Sequence, residues 1–154
     1  MRADTNGDSM QFTLESNTEN YIIRAYAPGE VIVTPPKDLA EKTELIEDPR
    51  FGDQPIALEI LTSSFFIMPR VLNKEYSPKQ YSDLSANEFV GISEYEPEIV
   101  LLGSGNSLQW PAKGVRESLL EKNIGVEVMD SGAACRTYNI LMAEQRHVAA
   151  LIFI

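Results

Sequence analysis

The chain has 154 residues, of which 44% are hydrophobic and 23% are charged; these ordinary proportions exclude a disordered or fibrous chain and predict one globular domain. Its formal charge of -10 argues against binding to nucleic acid or to anionic membrane surfaces. The longest apolar run, residues 148–154, is far shorter than the roughly 20 residues that span a bilayer, so no transmembrane segment is predicted.

The first 17 residues are mostly polar and show no apolar periodicity, which predicts a flexible leader followed by a single α/β domain over residues 18–154. This leader lacks the basic-then-apolar pattern of a secretory signal. The chain has one cysteine, Cys135, and one histidine, His147, which excludes an intramolecular disulfide and a zinc-type cluster. We therefore expect the protein to reside in the bacterial cytoplasm, or in the mitochondrial matrix if it is a processed eukaryotic chain.

The elements predicted before residue 97 are mostly strands. Three β-rich runs are separated by turn or polar residues, at 21–26, 30–34 and 56–68. Pro28-Gly29 between the first two runs favours a tight turn, so these runs predict a β-hairpin. The third run is long enough for one long strand or two short ones. Ser85 and Glu88 have the spacing of a capping box, which predicts the start of a short helix.

From Glu98 onward the pattern is a regular β-α-β-α-β block. Its predicted elements are strand 99–102, helix 111–122, strand 126–129, helix 133–144 and strand 148–154. Alternation of this kind predicts a sheet with helices packed on its faces. The second helix is expected to face the sheet through a stripe of small and apolar residues, namely Ala133, Ala134, Thr137, Ile140 and Leu141. The last strand lacks polar residues, which indicates a central strand covered on both faces.

Two turns of this block are candidate ligand sites. Gly103-Ser104-Gly105 follows the first strand, at the edge where α/β sheets offer free backbone N–H groups to ligands. A dinucleotide fingerprint would need a third glycine and an immediate helix, and a simple turn out of the sheet explains the loop equally well. Asp130-Ser131-Gly132 opens the second helix, where helix capping also accounts for the polar side chains. Parallel strands would place both turns at one edge, and no cofactor is predicted there.

The second helix adds candidate residues to this site. Arg136 could supply charge, and Tyr138 and Asn139 could supply polar contacts, although the spacing of Tyr138 equally fits half-buried packing. Cys135 lies near the helix N-terminus beside Arg136, conditions that lower a thiol pKa. A cysteine among alanines on a helix that packs on a sheet is, however, usually a small buried side chain. No catalytic set and no metal site are predicted, and an enzyme is less favoured than a non-enzyme.

Three segments of the block resemble a known family. They are residues 97–105 (PEIVLLGSG), 125–141 (GVEVMDSGAACRTYNIL) and 144–151 (EQRHVAAL). The chain resembles the domain of unknown function 498 family, which includes small bacterial and archaeal proteins and a mitochondrial assembly factor for respiratory complex I. The resemblance implies a three-layer α/β fold with a mixed central sheet and helices on both faces. It implies no established catalytic activity, and its link to protein assembly is an analogy.

Two hypotheses follow from these patterns. The first is a non-enzymatic assembly or protein-interaction factor, linked to the biogenesis of a respiratory or membrane complex, whose unidentified protein partner contacts the turn edge or the Trp110 region. The alternative is a protein, enzymatic or not, that binds a small molecule or anion through Gly103-Ser104-Gly105 and Asp130-Ser131-Gly132, with Arg136 supplying charge. A third interpretation makes Cys135 a redox or acyl-transfer nucleophile.

Overall fold

A computed structural model describes residues 19–154 and, before them, the backbone of two short strands. The strands of the described chain are β1 (Thr5–Asn6), β2 (Ser9–Gln11), β3 (Ile22–Ala27), β4 (Glu30–Thr34), β5 (Leu45–Ile46), β6 (Ile56–Ala57), β7 (Glu59–Leu61), β8 (Phe65–Met68), β9 (Val71–Asn73), β10 (Ile99–Gly103), β11 (Gly125–Met129) and β12 (Val148–Ile152). The α-helices are α1 (Phe89–Ser93), α2 (Val115–Leu120) and α3 (Ser131–Ala143). The predicted leader, residues 1–17, lies outside the described residues except for β1 and β2, which the sequence did not predict.

The strands form two larger sheets and a small pair, β5 with β6. The N-terminal sheet has the order β1-β2-β3-β4-β7 and is antiparallel throughout. Its β3–β4 hairpin confirms the predicted one, and Gly29 takes the positive φ of 87° that the tight turn requires. The central sheet has the order β11-β10-β12-β8-β9. In it β10 pairs parallel with β11 and β12, while β8 pairs antiparallel with β12 and β9, so the sheet is mixed as expected.

Alternating side chains give the central sheet two apolar faces. Leu101 and Ala150 face α3 and the N-terminal sheet, in a shared core that includes buried residues of β3 and β4. Val100 and Ala149 face the opposite side, where they pack in a second core with buried residues of α1 and α2. Helices therefore cover both faces of a mixed sheet, which confirms the predicted fold class.

The structure corrects two details of the helices. Helix α2 begins at Val115 and not at residue 111, because Gly114 adopts a left-handed conformation with φ of 90° that interrupts helical geometry. The buried stripe of α3 also differs from the predicted one. It comprises Ser131, Gly132, Ala134, Cys135, Tyr138, Asn139 and Met142, whereas Ile140 is 58% exposed. Polar residues lie on the inner side of α3 because they have hydrogen-bond partners there, as described below.

Gly103, the last residue of β10, permits a close approach between the central sheet and α3. A Cβ at this position would lie 3.0 Å from Ser131 Oγ and 3.1 Å from both Ala134 Cβ and Ile152 Cδ1. We therefore expect Gly103→Ala to lower the free energy of unfolding by about 1–3 kcal/mol. Urea-induced unfolding provides the measurement.

A matched control for Gly103→Ala exists in α1. A Cβ at Gly91 would meet nothing within 4 Å, and alanine favours a helix interior, so Gly91→Ala should be neutral or stabilise by up to about 1 kcal/mol. Equal effects of the two substitutions would show that the close approach at Gly103 does not constrain the fold.

Candidate functional site

The two predicted turns lie side by side at the carboxyl edge of the central sheet. Gly103 pairs in register with Met129 of β11 and with Ile152 of β12, which aligns the carboxyl ends of the three parallel strands. A backbone hydrogen bond from Ser131 N to Gly105 O, 2.8 Å long, joins the two turns. The structure thus brings together the turn residues that the sequence placed at one edge.

Ser131 connects the three segments that meet at this edge. Its side chain is buried; its hydroxyl donates a hydrogen bond to Phe153 O and accepts one of 2.9 Å from Gly105 N. The neighbouring Asp130 is the N-cap of α3, because its Oδ1 accepts a hydrogen bond of 2.9 Å from Ala133 N. Ser131 therefore holds the start of α3 against the ends of the strands, whereas Asp130 caps the helix itself.

Ser104 shapes the loop between β10 and α2, residues 104–114, which we call the Trp110 loop. Its buried hydroxyl accepts a hydrogen bond of 3.0 Å from Gln109 N, and its single proton is shared between the carbonyl oxygens of Ser107 (2.8 Å) and Met129 (3.2 Å). Tyr26 Oη donates a further hydrogen bond to a side chain of the loop, at Asn106. These bonds fix the base of the loop from inside the fold.

The outer part of the Trp110 loop exposes two large apolar side chains. Leu108 is 53% exposed and Trp110 is 66% exposed. The Arg116 guanidinium, in the first turn of α2, lies 5.6 Å from the centroid of the Trp110 ring; this is a cation–π distance. The loop therefore presents an apolar surface that a positive charge borders.

Tyr138 and Asn139 do not lie with the two turns. They face the N-terminal sheet, where Asn139 Oδ1 accepts from Ile23 N (3.1 Å) and its Nδ2 donates to Ile23 O (2.8 Å). Tyr138 Oη donates to Tyr21 O at 2.9 Å, and burial raises the pKa of Tyr138 well above its ordinary value. Both side chains thus serve as connectors between α3 and the N-terminal sheet.

Cys135 and Arg136 are neighbours on α3 but differ in exposure. Arg136 is exposed, whereas Cys135 is fully buried in the core between α3 and the sheets. Burial raises the pKa of the Cys135 thiol, and the nearby charge of Arg136 offsets only part of that rise. A protonated thiol without solvent access is a poor nucleophile, so these surroundings favour the interpretation of Cys135 as a small core residue.

A cavity that the sequence did not predict lies between α1 and the β8–β9 hairpin. It has a volume of about 570 Å³. Its lining combines aromatic, acidic and small residues: Phe66, Asn73, Tyr76, Glu88, Gly91, Ile92, Glu94 and Tyr95. Because these residues are spread over β8, β9, α1 and the segments next to them without a local motif, no sequence pattern pointed to the cavity.

The described residues contain no group of three or more histidine, cysteine, aspartate or glutamate side chains placed to hold a metal ion. Among the described helices, none is long and apolar enough to cross a membrane.

Comparison with known proteins identifies the family. A family model described as a protein of unknown function (DUF498/DUF598) matches residues 50–153. The chain belongs to this family. The match includes the central sheet, both turns, the Trp110 loop and the cavity, whereas β1 to β5 lie before it.

Similar proteins share the fold or part of the sequence of this DUF498/DUF598 protein. An NMR structure of a Xanthomonas campestris protein superimposes with a TM-score of 0.66 and 25% identity over 93% of this chain and 91% of that one. A Danio rerio protein named NADH dehydrogenase [ubiquinone] 1 alpha subcomplex assembly factor 3 is 32% identical over 80 residues, 51% of this chain and 46% of its own. A Francisella tularensis protein named 13 kDa major membrane protein is 36% identical over 56 residues, 36% of this chain and 46% of its own. The chain thus matches just under half the length of these two curated relatives.

The hydrogen bonds between Asn139 and Ile23 should contribute to the stability of the fold. Asn139→Ala would leave a buried backbone N–H and C=O without partners, so we expect it to lower the free energy of unfolding by about 2–4 kcal/mol. Ile140→Ala on the exposed side of α3 should change it by less than about 0.5 kcal/mol. Urea unfolding of both variants checks this, and similar values for the two would contradict a connecting role for Asn139.

The burial of Cys135 makes a second prediction. Iodoacetamide should label Cys135 in the native protein at least about 100-fold more slowly than in the urea-unfolded protein, because alkylation requires local opening of the core. Mass spectrometry of timed samples gives both rates. Native labelling as fast as that of the unfolded chain would restore the reactive-thiol interpretation.

Proposed function

We propose that this DUF498/DUF598 protein is a non-enzymatic assembly or protein-interaction factor that contacts its protein partner through the Trp110 loop. The observation that carries the proposal is an exposed tryptophan on a loop whose base is hydrogen-bonded from within the fold. Exposed large apolar groups on an ordered surface are typical of protein-interaction sites.

The physical advantage of this loop is that it is ordered before binding. Ser104 and Tyr26 hold its base, so less conformational entropy would be lost when a partner docks. Trp110 offers a large contact area with few rotatable bonds, and tryptophan and arginine are the residue types that most often dominate interface energies. Arg116, next to the ring, adds a charged group at the rim of the same surface.

The relatives support this class of function. The Danio rerio relative carries the name of an assembly factor for a subcomplex of NADH dehydrogenase. By analogy we propose that the present chain assists the biogenesis of a respiratory or membrane complex, from the bacterial cytoplasm or the mitochondrial matrix. If the gene is deleted in its native source, native gels should show less of the assembled complex, and the wild-type gene should restore it.

The anion-binding alternative receives less support from the geometry. The Gly105 and Ala133 amides already donate to Ser131 and Asp130. The Asp130 carboxylate at the start of α3 would also repel an anion at the position where a helix N-terminus normally attracts one. Thermal-shift measurements with inorganic phosphate and nucleotides separate the two functions. A stabilisation of several degrees that Arg136→Ala removes would favour the alternative.

The proposal is tested first by photo-crosslinking from a chosen position of the loop, which captures the partner covalently. A photo-crosslinking amino acid at position 108 of the full chain should yield specific adducts in the native source. The same amino acid at Leu45, an exposed residue outside the loop (63% exposed), should not yield them. Identical adducts from both positions would indicate nonspecific contact and contradict the proposed surface.

With the captured partner in hand, Trp110→Ala tests the energetic contribution of the ring. We expect binding to weaken about 30-fold or more, which corresponds to a hot-spot residue. The melting temperature should shift by less than about 2 °C because the ring is outside the core. Leu45→Ala is the matched control and should retain full affinity. Calorimetric titration of the three proteins measures this, and an unchanged affinity in Trp110→Ala would refute the role of the loop.

A further inference from the structure

The cavity between α1 and the β8–β9 hairpin has the composition of a binding site for an organic cation. Its three rings lie close together: the centroids of Phe66 and Tyr76 are 6.3 Å apart, and those of Phe66 and Tyr95 are 5.7 Å apart. Glu88 and Glu94 line the same space. Its volume of about 570 Å³ falls within the usual range of small-molecule pockets.

The buried hydroxyl of Tyr76 is a second feature of this cavity. Tyr76 is only 8% exposed, and its hydroxyl is buried with no hydrogen-bond partner among the residues that the structure describes. A buried hydroxyl without a partner costs stability, and the Tyr76 side chain lines the cavity, so a ligand group that displaces the contacts covering the oxygen would supply the missing hydrogen bond. Burial and, to a lesser extent, the charge of Glu88 raise the pKa of Tyr76, which is consistent with a carboxylate close to a neutral phenol.

Glu88 presents a fixed negative charge to the cavity. Its Oε2 accepts hydrogen bonds from Ser85 N (2.8 Å) and Ser85 Oγ (2.6 Å). Partial burial opposes ionisation, but these hydrogen bonds outweigh it and lower the pKa of Glu88. Glu94 contributes a second carboxylate at the exposed side of the cavity. Carboxylates beside aromatic rings favour a positively charged ligand through both Coulomb attraction and cation–π contacts.

We propose that this cavity binds a primary ammonium group, carried by a free alkyl amine or by a lysine side chain. The ammonium N–H groups would donate to the Tyr76 oxygen and to the carboxylate of Glu88, and the alkyl chain would lie against Phe66 and Tyr95. An ammonium is a compact donor of three hydrogen bonds, and it fits a site that combines two carboxylates with aromatic ring faces. The formal charge of -10 also attracts cations to the surface of the chain.

The cavity is separate from the surface proposed for the protein partner. Tyr95 O lies 2.7 Å from His147 Nε2, and His147 immediately precedes β12. This contact places Tyr95 near the amino ends of the parallel strands, whereas the Trp110 loop leaves the carboxyl end of β10. Occupation of the cavity therefore does not depend on the proposed function of the Trp110 loop.

Nuclear magnetic resonance titration of the full, ¹⁵N-labelled chain tests the proposal with three probes. The probes are 1,5-diaminopentane, Nα-acetyl-lysine methylamide, whose side-chain ammonium is free, and the uncharged Nα-acetyl-norleucine methylamide. We expect saturable shifts of the Gly91 and Tyr95 amides with one or both amines and none with the norleucine compound. Saturation by the lysine compound alone assigns the ammonium to a protein or peptide, and saturation by the diamine alone assigns it to a free amine.

Paired variants separate a specific site from general attraction. Glu94→Gln should weaken amine binding about fivefold or more, while Glu44→Gln, which removes the same charge from an exposed position outside the cavity, should have little effect. Tyr76→Phe should weaken binding, while Tyr81→Phe should not. Within the described part of the chain the Tyr81 hydroxyl is also buried without a partner, but Tyr81 does not line this cavity. Neither tyrosine variant should be destabilised, because neither loses a hydrogen bond.

The proposal is overturned if neither amine gives a saturable shift, if the norleucine compound shifts the same amides equally, or if the members of each variant pair behave alike. Trp110→Ala should bind the amines as the wild type does. If the protein binds the amines but the Trp110 loop binds no partner, only the proposed function of the loop is contradicted. If the loop binds a partner but the amines do not bind, only the proposal for the cavity is contradicted.

Discussion

The geometry at the carboxyl edge of the central sheet depends on the hydrogen bonds of the Ser131 hydroxyl group. It bonds to Gly105 N and to Phe153 O, so one buried side chain links the loop after β10, the start of α3 and the end of β12. Gly103 permits this arrangement because a Cβ there would lie 3.0 Å from the same hydroxyl oxygen. Ser104 then extends the network outward into the Trp110 loop. The exposed tryptophan is thus supported by hydrogen bonds that begin in the core.

The same network is the reason why we propose a protein contact, and not an anion site, at this edge. In many α/β proteins the N–H groups at this edge are available to phosphate, but here those of Gly105, Ser131 and Ala133 donate to side chains and a carbonyl of the chain itself. Burial of the exposed apolar side chains of the loop by a partner would instead be favourable. Membership of the DUF498/DUF598 family and a relative named as an assembly factor are in line with this chemistry.

Periodicity predicted the β-α-β-α-β block, the hairpin and the edge where the turns meet, because each depends on local patterns and on the parallel connection of strands. The roles of Tyr138 and Asn139 could not be predicted in this way. Asn139 pairs with Ile23, 116 positions earlier in the chain, and only the packing of α3 on the N-terminal sheet reveals why polar residues face inward. The start of α2 depends on the backbone of Gly114, and the cavity depends on residues between Phe66 and Tyr95 that only the fold brings together. Neither feature has a local sequence signature.

The most direct test of the central claim is hydrogen–deuterium exchange of the full chain with and without its captured partner. If the Trp110 loop is the contact surface, the amides of residues 106–114 should gain protection in the complex, while those of residues 133–139 in α3 should exchange as slowly as before. Protection confined to other parts of the chain, with the loop unchanged, would contradict the claim.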